Sequence, residues 1–381
     1  MPPPAAFVRL PSLTGLRFVA AFGVFVCHVA TSEAARTGTW PSPVLFLLGP
    51  VCVSVFFVLS GFVLTLSARE TDTVRGFWRR RIVKIYPNHL VVWATIMVLV
   101  RGIGMPTHGV HPTVLGDLAN ALLVHTLIPL PGFGLAGNSV AWSLTCELLF
   151  YLLFPLLLPL VTRIRTKGLP AAALIAAVAV WAVPLSMLGI DGPLLEHGPL
   201  PGKVSMTQMA LVYMFPPCRL PEFLLGMVLA RMHMNGFRVR VGVTASAGLL
   251  CAALFLGVAV LPAPFLPAAA TVVPVALLIR ATAALDTQGR RSLLRTPGAV
   301  FLGDLSYAFY LEHATVIAAL LYYADGLGNA YWVACVAFPV ALAAAWLLHT
   351  LIERPCMRRL TTGRPRSLPA TATAPGLLAE D

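Results

Sequence analysis

The chain has 381 residues, 58% of them hydrophobic and only 11% charged, with a formal net charge of +12. A soluble domain of this size would be left with far more apolar surface than it could bury, so the composition reads as a polytopic membrane protein. The positive balance would suit a nucleic-acid partner, but the basic residues are distributed as membrane topology requires, and no nucleic-acid partner is expected.

Apolar runs of spanning length lie near 12–30, 43–68, 82–100, 140–162, 170–190, 206–230, 241–262, 264–280, 298–324 and 330–352. They predict an all-α membrane bundle of about ten transmembrane helices. With the N-terminus inside, the inner segments collect 23 of the 27 Lys and Arg residues, while the outer ones hold only Arg36, Arg101 and Lys203. Arg219 falls within a span. This asymmetry follows the positive-inside rule and predicts cytosolic termini in a multi-pass protein of the cell membrane. Residues 1–360 are expected to form one membrane domain, and 361–381, rich in Thr, Pro and Ala, a disordered cytosolic tail.

Within the long outer connection 102–138, the stretch 117–130 is apolar but too short to span, which predicts a surface or re-entrant helix. Residues 16–35 imitate a signal peptide. The nearly uncharged segment before them, and Arg17 and His28 within the run, point instead to a retained span. The seven cysteines show no CxxC spacing, so free thiols are expected, with neither a disulfide framework nor a metal site.

Arg17 and His28 are eleven residues apart on one apolar helix. At 100° per residue they share a face, about 16 Å apart along the axis. A guanidinium in a span costs roughly 2.5–3.5 kcal/mol on insertion scales, which marks the face as the wall of a reaction channel. A neutral imidazole is a proton acceptor, so His28 is the candidate general base.

Four further constellations carry candidate residues. Arg81 and Lys84, i,i+3 neighbours in Phe77–Pro87 between helices 2 and 3, suit phosphate binding; interfacial anchoring is the plainer reading, above all for Arg79 and Arg80. Ser143, Glu147, Phe150 and Tyr151 share a helix face, and Glu147, the sole carboxylate of its span, requires a partner such as Arg17, His28 or Arg219. Arg219 and Glu222 lie in a Pro-broken helix, Phe215–Gly226, either paired with each other or lining a cavity. Ser306, Tyr310 and His313 form a polar stripe that lines a cavity or makes bundle contacts.

These pieces, in this order, resemble the acyltransferase-3 family of membrane acyltransferases. The resemblance rests on Leu13-Thr14-Gly15-Leu16-Arg17 followed by His28, and on Phe56-Phe57-Val58-Leu59-Ser60-Gly61-Phe62. It continues through Arg81, Lys84 and Pro87, through Trp142-Ser143-Leu144 with Glu147, Phe150 and Tyr151, and through Arg219–Gly226. Leu305-Ser306-Tyr307, Tyr310, Leu311, His313 and the closing Glu353-Arg354-Pro355 complete it. It implies transfer of an acyl group other than aminoacyl from acyl-CoA, acetyl-CoA being the expected donor, to a hydroxyl of a sugar, glycan or glycosylated metabolite.

The family roles fall on Arg17 and His28, then on Arg81, Lys84 and Glu147, with Lys84 standing where the family more often has Arg. Acyl-CoA is then a co-substrate, with no cofactor bound. With about 20 residues beyond the membrane part, the chain resembles the single-domain members, including those that acylate macrolide sugars. The alternative class is a secondary transporter of a small polar or anionic metabolite, which would also hold intramembrane Arg, Glu and His. Such transporters usually repeat a broken helix in two related halves, and only one run here looks broken.

Overall fold

The computed structural model describes residues 10–361 except 41, 70, 107–112, 129–132, 195–199, 201–204, 239 and 324–329. The expected tail 361–381 lies outside the described residues, apart from the backbone of residue 361. Chain order gives α1 (Pro11–Thr37), α2 (Pro43–Ser67), α3 (Val74–Met97), α4 (Val114–Ala121), α5 (Trp142–Thr162), α6 (Leu169–Ser186) and α7 (Met206–Met209). There follow α8 (Pro216–Met234), α9 (Val243–Val260), α10 (Val272–Thr287), α11 (Pro297–Tyr323), α12 (Ala330–Leu347) and α13 (Arg354–Thr361). The described residues form no named β-strand.

Nine helical segments among the described residues are long and apolar enough to cross a membrane. The tenth predicted run, 206–230, is broken. A π-type turn over Ala210–Met214 ends at extended Phe215, and α8 starts at Pro216. Proline suits the first helical turn, where its missing N–H leaves no bond unmade, and Pro11 and Pro43 open α1 and α2 in the same way. The run expected at 264–280 becomes a helix only at Val272, because Pro262, Pro264 and Pro267 hold the preceding chain in short 3₁₀ turns. Conversely, α3 starts at Val74, eight residues before the apolar run. Thr73 Oγ1 accepts the Gly76 N–H at 3.1 Å, so Arg79, Arg80 and Arg81 lie within the helix rather than in a connection.

α1 packs against α2 and α11, α2 against α8, and α11 against α12. The central position of α2 shows in its burial: 67% of its apolar window is inside the protein, against 17% for α9, whose sides carry exposed Leu249, Phe255 and Leu256. Close crossings rest on glycine. A Cβ on Gly61 would sit 2.0 Å from the Phe223 carbonyl oxygen, and one on Gly226 would sit 2.0 Å from that of Val58. These reciprocal contacts bring the α2 and α8 backbones together.

The outer connection holds α4 at 114–121 and a 3₁₀ turn over His125–Leu127, where a single helix was expected at 117–130. Beneath it lies a buried polar network. Asn120 Nδ2 donates to the Asn138 carbonyl at 3.1 Å and contacts His125 Nε2 at 3.3 Å, and His89 Nε2 donates to the Asn120 carbonyl at 3.0 Å. Asn138 Nδ2 in turn donates to the Leu311 carbonyl at 3.0 Å, which ties the connection to α11.

Candidate active site

α1, α2, α3, α5 and α11 surround a cavity lined by Arg17, Lys84, Ser143, Glu147, Tyr151, Ser306, Tyr307, Tyr310 and an apolar wall that includes Phe56 and Phe57. Arg17, Lys84, Ser143, Glu147, Tyr151, Ser306 and Tyr310, all named from the sequence, therefore share one space. The helical period explains this on α5, where Ser143, Glu147 and Tyr151 succeed one another at i+4 and face inward. Phe150, expected on the same face, instead stacks on Phe223 of α8 at 4.8 Å between centroids.

The cavity has a cationic end. Lys84 Nζ forms an ion pair with Glu353, whose other oxygen accepts Asn88 Nδ2 at 3.0 Å. Arg17 forms no ion pair among the described residues. Arg81 does not line the cavity. Its guanidinium lies over the Phe77 and Tyr151 rings, 5.3 and 5.7 Å from their centroids, so the expected Arg81–Lys84 fork is divided between a stacked cation and a paired one. Glu147, expected to need a cationic partner, accepts the Tyr151 hydroxyl at 3.3 Å, and Arg17, Arg81 and Lys84 all lie within electrostatic range of it.

Towards the bundle interior the cavity is bounded by hydroxyls. Tyr310 and Ser143 share a hydrogen bond of 2.7 Å, and the Tyr310 hydroxyl also reaches the Val140 carbonyl at 3.2 Å. Ser306 lines the space but bonds back to the Gly303 carbonyl at 2.7 Å. Tyr307, part of the family motif but given no site role from the sequence, donates to the Ile85 carbonyl at 2.7 Å and lies under the Lys84 ammonium.

His28 does not line this cavity. Its Nδ1 lies 2.7 Å from Nε2 of His313, one helical step past Tyr310 on α11, and the two ring planes are 12° apart. His313 is fully buried, and its Nδ1 contacts the Tyr310 and Phe309 carbonyls at 2.7 and 3.1 Å. The 16 Å spacing of Arg17 and His28 along α1 thus places the guanidinium in the cavity and the imidazole beyond its inner wall.

Arg219 is set apart from this space. It is 1% exposed, pairs with Glu222 at 2.9 Å and donates to Ser54 Oγ at 3.0 Å. Its guanidinium lies over the Phe57 ring, 5.2 Å from the centroid, and lines a separate small void with Cys218 and Glu222. Arg219 thus pairs with Glu222 and also lines a space, though not the one that holds Arg17 and Lys84.

Sequence reasoning assigned no site role to Glu353, Asn88 or His349, whose Nδ1 lies 3.3 Å from Glu353. The available signal was a carboxylate at the end of the last apolar run, which needs polar partners wherever the fold buries it. All seven cysteines are free thiols. No cluster of three metal-ligating side chains occurs among the described residues.

The fold and the cavity define a multi-pass helical membrane protein with a charged pocket enclosed by its own spans. The family model described as an acyltransferase domain matches residues 10–350, and the chain belongs to that family. It is 40% identical to "Acyltransferase MdmB" of Streptomyces mycarofaciens, over 98% of this chain and 99% of that one. It is 29% identical to the exopolysaccharide production protein ExoZ of Rhizobium meliloti (strain 1021), covering 85% of this chain and 94% of the relative. Nodulation protein 10 of Rhizobium leguminosarum bv. viciae is also 29% identical, over 85% of this chain and 86% of its own. No solved structure gives a significant match. The chain is an acyltransferase of the membrane.

Proposed function

We propose that the protein moves an acyl group from acyl-CoA to a hydroxyl of a sugar or glycosylated acceptor, with His28 as general base, in the cell membrane and with both termini cytosolic. The observation that carries this reading is the cavity itself: Arg17 and Lys84 at one end, the Ser143–Tyr310 hydroxyl pair at the other, and His28 just beyond. Cations at the mouth suit the phosphates of CoA, with Arg81 stacked nearby. The pantetheine arm would lie along the cavity and bring the thioester towards the hydroxyl pair. A sugar acceptor accords with the relative whose name refers to exopolysaccharide production.

In this reading His28 takes the acceptor hydroxyl proton as that oxygen attacks the thioester carbonyl carbon. The tetrahedral oxyanion is held by a donor at the inner wall, Tyr310 or Ser143. The carbon–sulfur bond then breaks, and the imidazolium returns the proton to the departing CoA thiolate. Glu147 balances the cationic end and orients it through Tyr151. Arg219, Ser306 and His313 support the walls rather than meet CoA.

The test is purified protein in detergent with acetyl-CoA and a panel of sugar-bearing acceptors, following thiol release and acceptor mass. Acceptor-dependent thiol release that disappears in folded His28→Ala is expected. Release that persists in that variant removes His28 from its role. Radiolabelled acyl group retained on the protein without acceptor would replace direct transfer by a covalent acyl-histidine route. If no acyl-CoA is consumed, the donor assignment fails, and flux in vesicles then tests the transporter alternative.

A further inference from the structure

His28 and His313 are bonded ring to ring, and only one arrangement of protons satisfies the contacts of His313 when both rings are neutral. His313 Nδ1 faces two backbone carbonyls, at 2.7 Å from Tyr310 O and 3.1 Å from Phe309 O. Carbonyl oxygens accept and cannot donate, so this nitrogen carries the hydrogen. A neutral imidazole has one N–H, which leaves His313 Nε2 as an acceptor. The atom 2.7 Å from it is His28 Nδ1, which must therefore donate. The proton-accepting lone pair of His28 is then on Nε2.

We propose that His313 is a positioning residue that fixes His28 in the Nδ1–H tautomer, so that Nε2 is the atom that accepts the substrate proton. The anchor lies in the helix itself. His313 is held by carbonyls of its own α11, one turn back, and the Asn138 amide bonded to the Leu311 carbonyl secures the same turn from the other side. α1 and α11 pack along their length, and a Cβ on Gly303 would lie 2.1 Å from the Thr14 carbonyl oxygen, so the backbones carrying the two rings are held close. The ring planes are nearly parallel, 12° apart, and the 2.7 Å contact with centroids 5.0 Å apart sets the rings edge to edge, which puts His28 Nδ1 on the in-plane lone pair of His313. When His28 gains a proton at Nε2, its Nδ1–H bond to His313 becomes charge-assisted, and no second proton moves. His313 itself neither meets substrate nor changes protonation state.

The catalytic part of this inference rests on the reading of His28 as general base; the tautomer does not. Two measurements keep them apart. The first is long-range ¹⁵N–¹H correlation on protein labelled with ¹⁵N-histidine in nanodiscs, with His28 assigned by its loss in His28→Asn. Both His28 and His313 are expected as Nδ1–H tautomers, and His28 should move towards the Nε2–H form in His313→Leu. An Nε2–H His28 in the wild type overturns the proposal whatever the enzyme's activity.

The second is kinetics on His313→Leu and His313→Gln, each shown to be folded by its melting profile. The glutamine oxygen accepts where Nε2 does, and its amide donates where Nδ1 does. His313→Leu should lower kcat by roughly 30-fold or more with KM for acetyl-CoA within about threefold. His313→Gln should recover activity to within about fivefold of wild type. Equal losses in the two variants overturn the positioning role. Correct tautomers with His28→Ala still active would leave the proton arrangement standing and defeat the general-base reading instead.

Discussion

The carboxylate of Glu353 holds the ammonium of Lys84 across 269 residues of sequence and closes the cationic end of the cavity. Glu353 is buried, at 3% exposure, and also takes Asn88 Nδ2, so removal of its charge leaves two donors without their acceptor. Breaking a buried pair from one side typically costs about 3–5 kcal/mol, and Lys84 retains some access to water, so roughly 2–4 kcal/mol is expected for Glu353→Ala. The double variant Lys84→Met/Glu353→Leu should recover most of the melting temperature yet none of the activity. Recovery of both would show that Lys84 serves the fold alone.

Glycine at the α2–α8 crossing is a packing requirement. Gly61→Ala and Gly226→Ala each place a methyl group against a backbone carbonyl at 2.0 Å, and backbone cannot turn aside as a side chain can. Each should lower the yield of folded protein and the melting temperature sharply, by several degrees or more. Gly248→Ala in α9, with nothing within 4 Å, is the control and should melt like wild type or slightly higher. Thermal melts of the three proteins in one detergent decide the matter.

α1 has no side-chain cap of its own, and Asp286 at the end of α10 supplies one. Its carboxylate accepts the Ser12 N–H at 2.8 Å and the Ser12 hydroxyl at 2.7 Å. Asp286→Ala should cost about 1 kcal/mol, the usual range for loss of an N-cap. Asp286→Asn, which keeps an oxygen acceptor, should cost less. Equal melting of both variants with wild type would show that the cap contributes nothing.

His125 lies in the connection before α5, outside the spans. Burial, reinforced by the neighbouring His89 ring, pushes its imidazole down from 6.5 to about 3. The unfolded chain therefore binds this proton first as pH falls. The stability tied to the neutral ring is intact above about pH 6.5, declines below it, and is fully lost as pH passes about 3. Between about pH 7.5 and 5 the wild-type melting temperature should fall more steeply than that of His125→Gln. Parallel profiles would dismiss the assignment.

Much of the bundle was legible because the bilayer imposes a length and a polarity that a sequence must display. α2, α5, α6, α9 and α11 start and end within a few residues of their apolar runs. The errors occur where polar chain enters the helix or proline delays it. α3 begins in the basic segment because Thr73 caps it there, and α10 begins late because three prolines precede it. The candidate site was legible to the extent that helical spacing governs it, as with Ser143 and Glu147 on α5. Pairing across the bundle was not. Nothing in the local sequence assigns Lys84 to Glu353, or Arg219 to Ser54.

The sequence by itself determined that this is a multi-pass helical membrane protein of an acyltransferase family, with ionisable residues placed in spans where lipid would exclude them. A carboxylate or guanidinium in hydrocarbon must find polar company, so its presence alone predicts an interior site. Only the tertiary structure decided which polar groups meet. Partners are chosen by how helices distant in sequence cross, and the crossings are set by packing details such as Gly61 against Gly226. That packing puts Arg17 and Glu147 on one cavity and Arg219 against Ser54 of α2. It also puts His28 against His313, a contact that no periodicity along a single helix encodes.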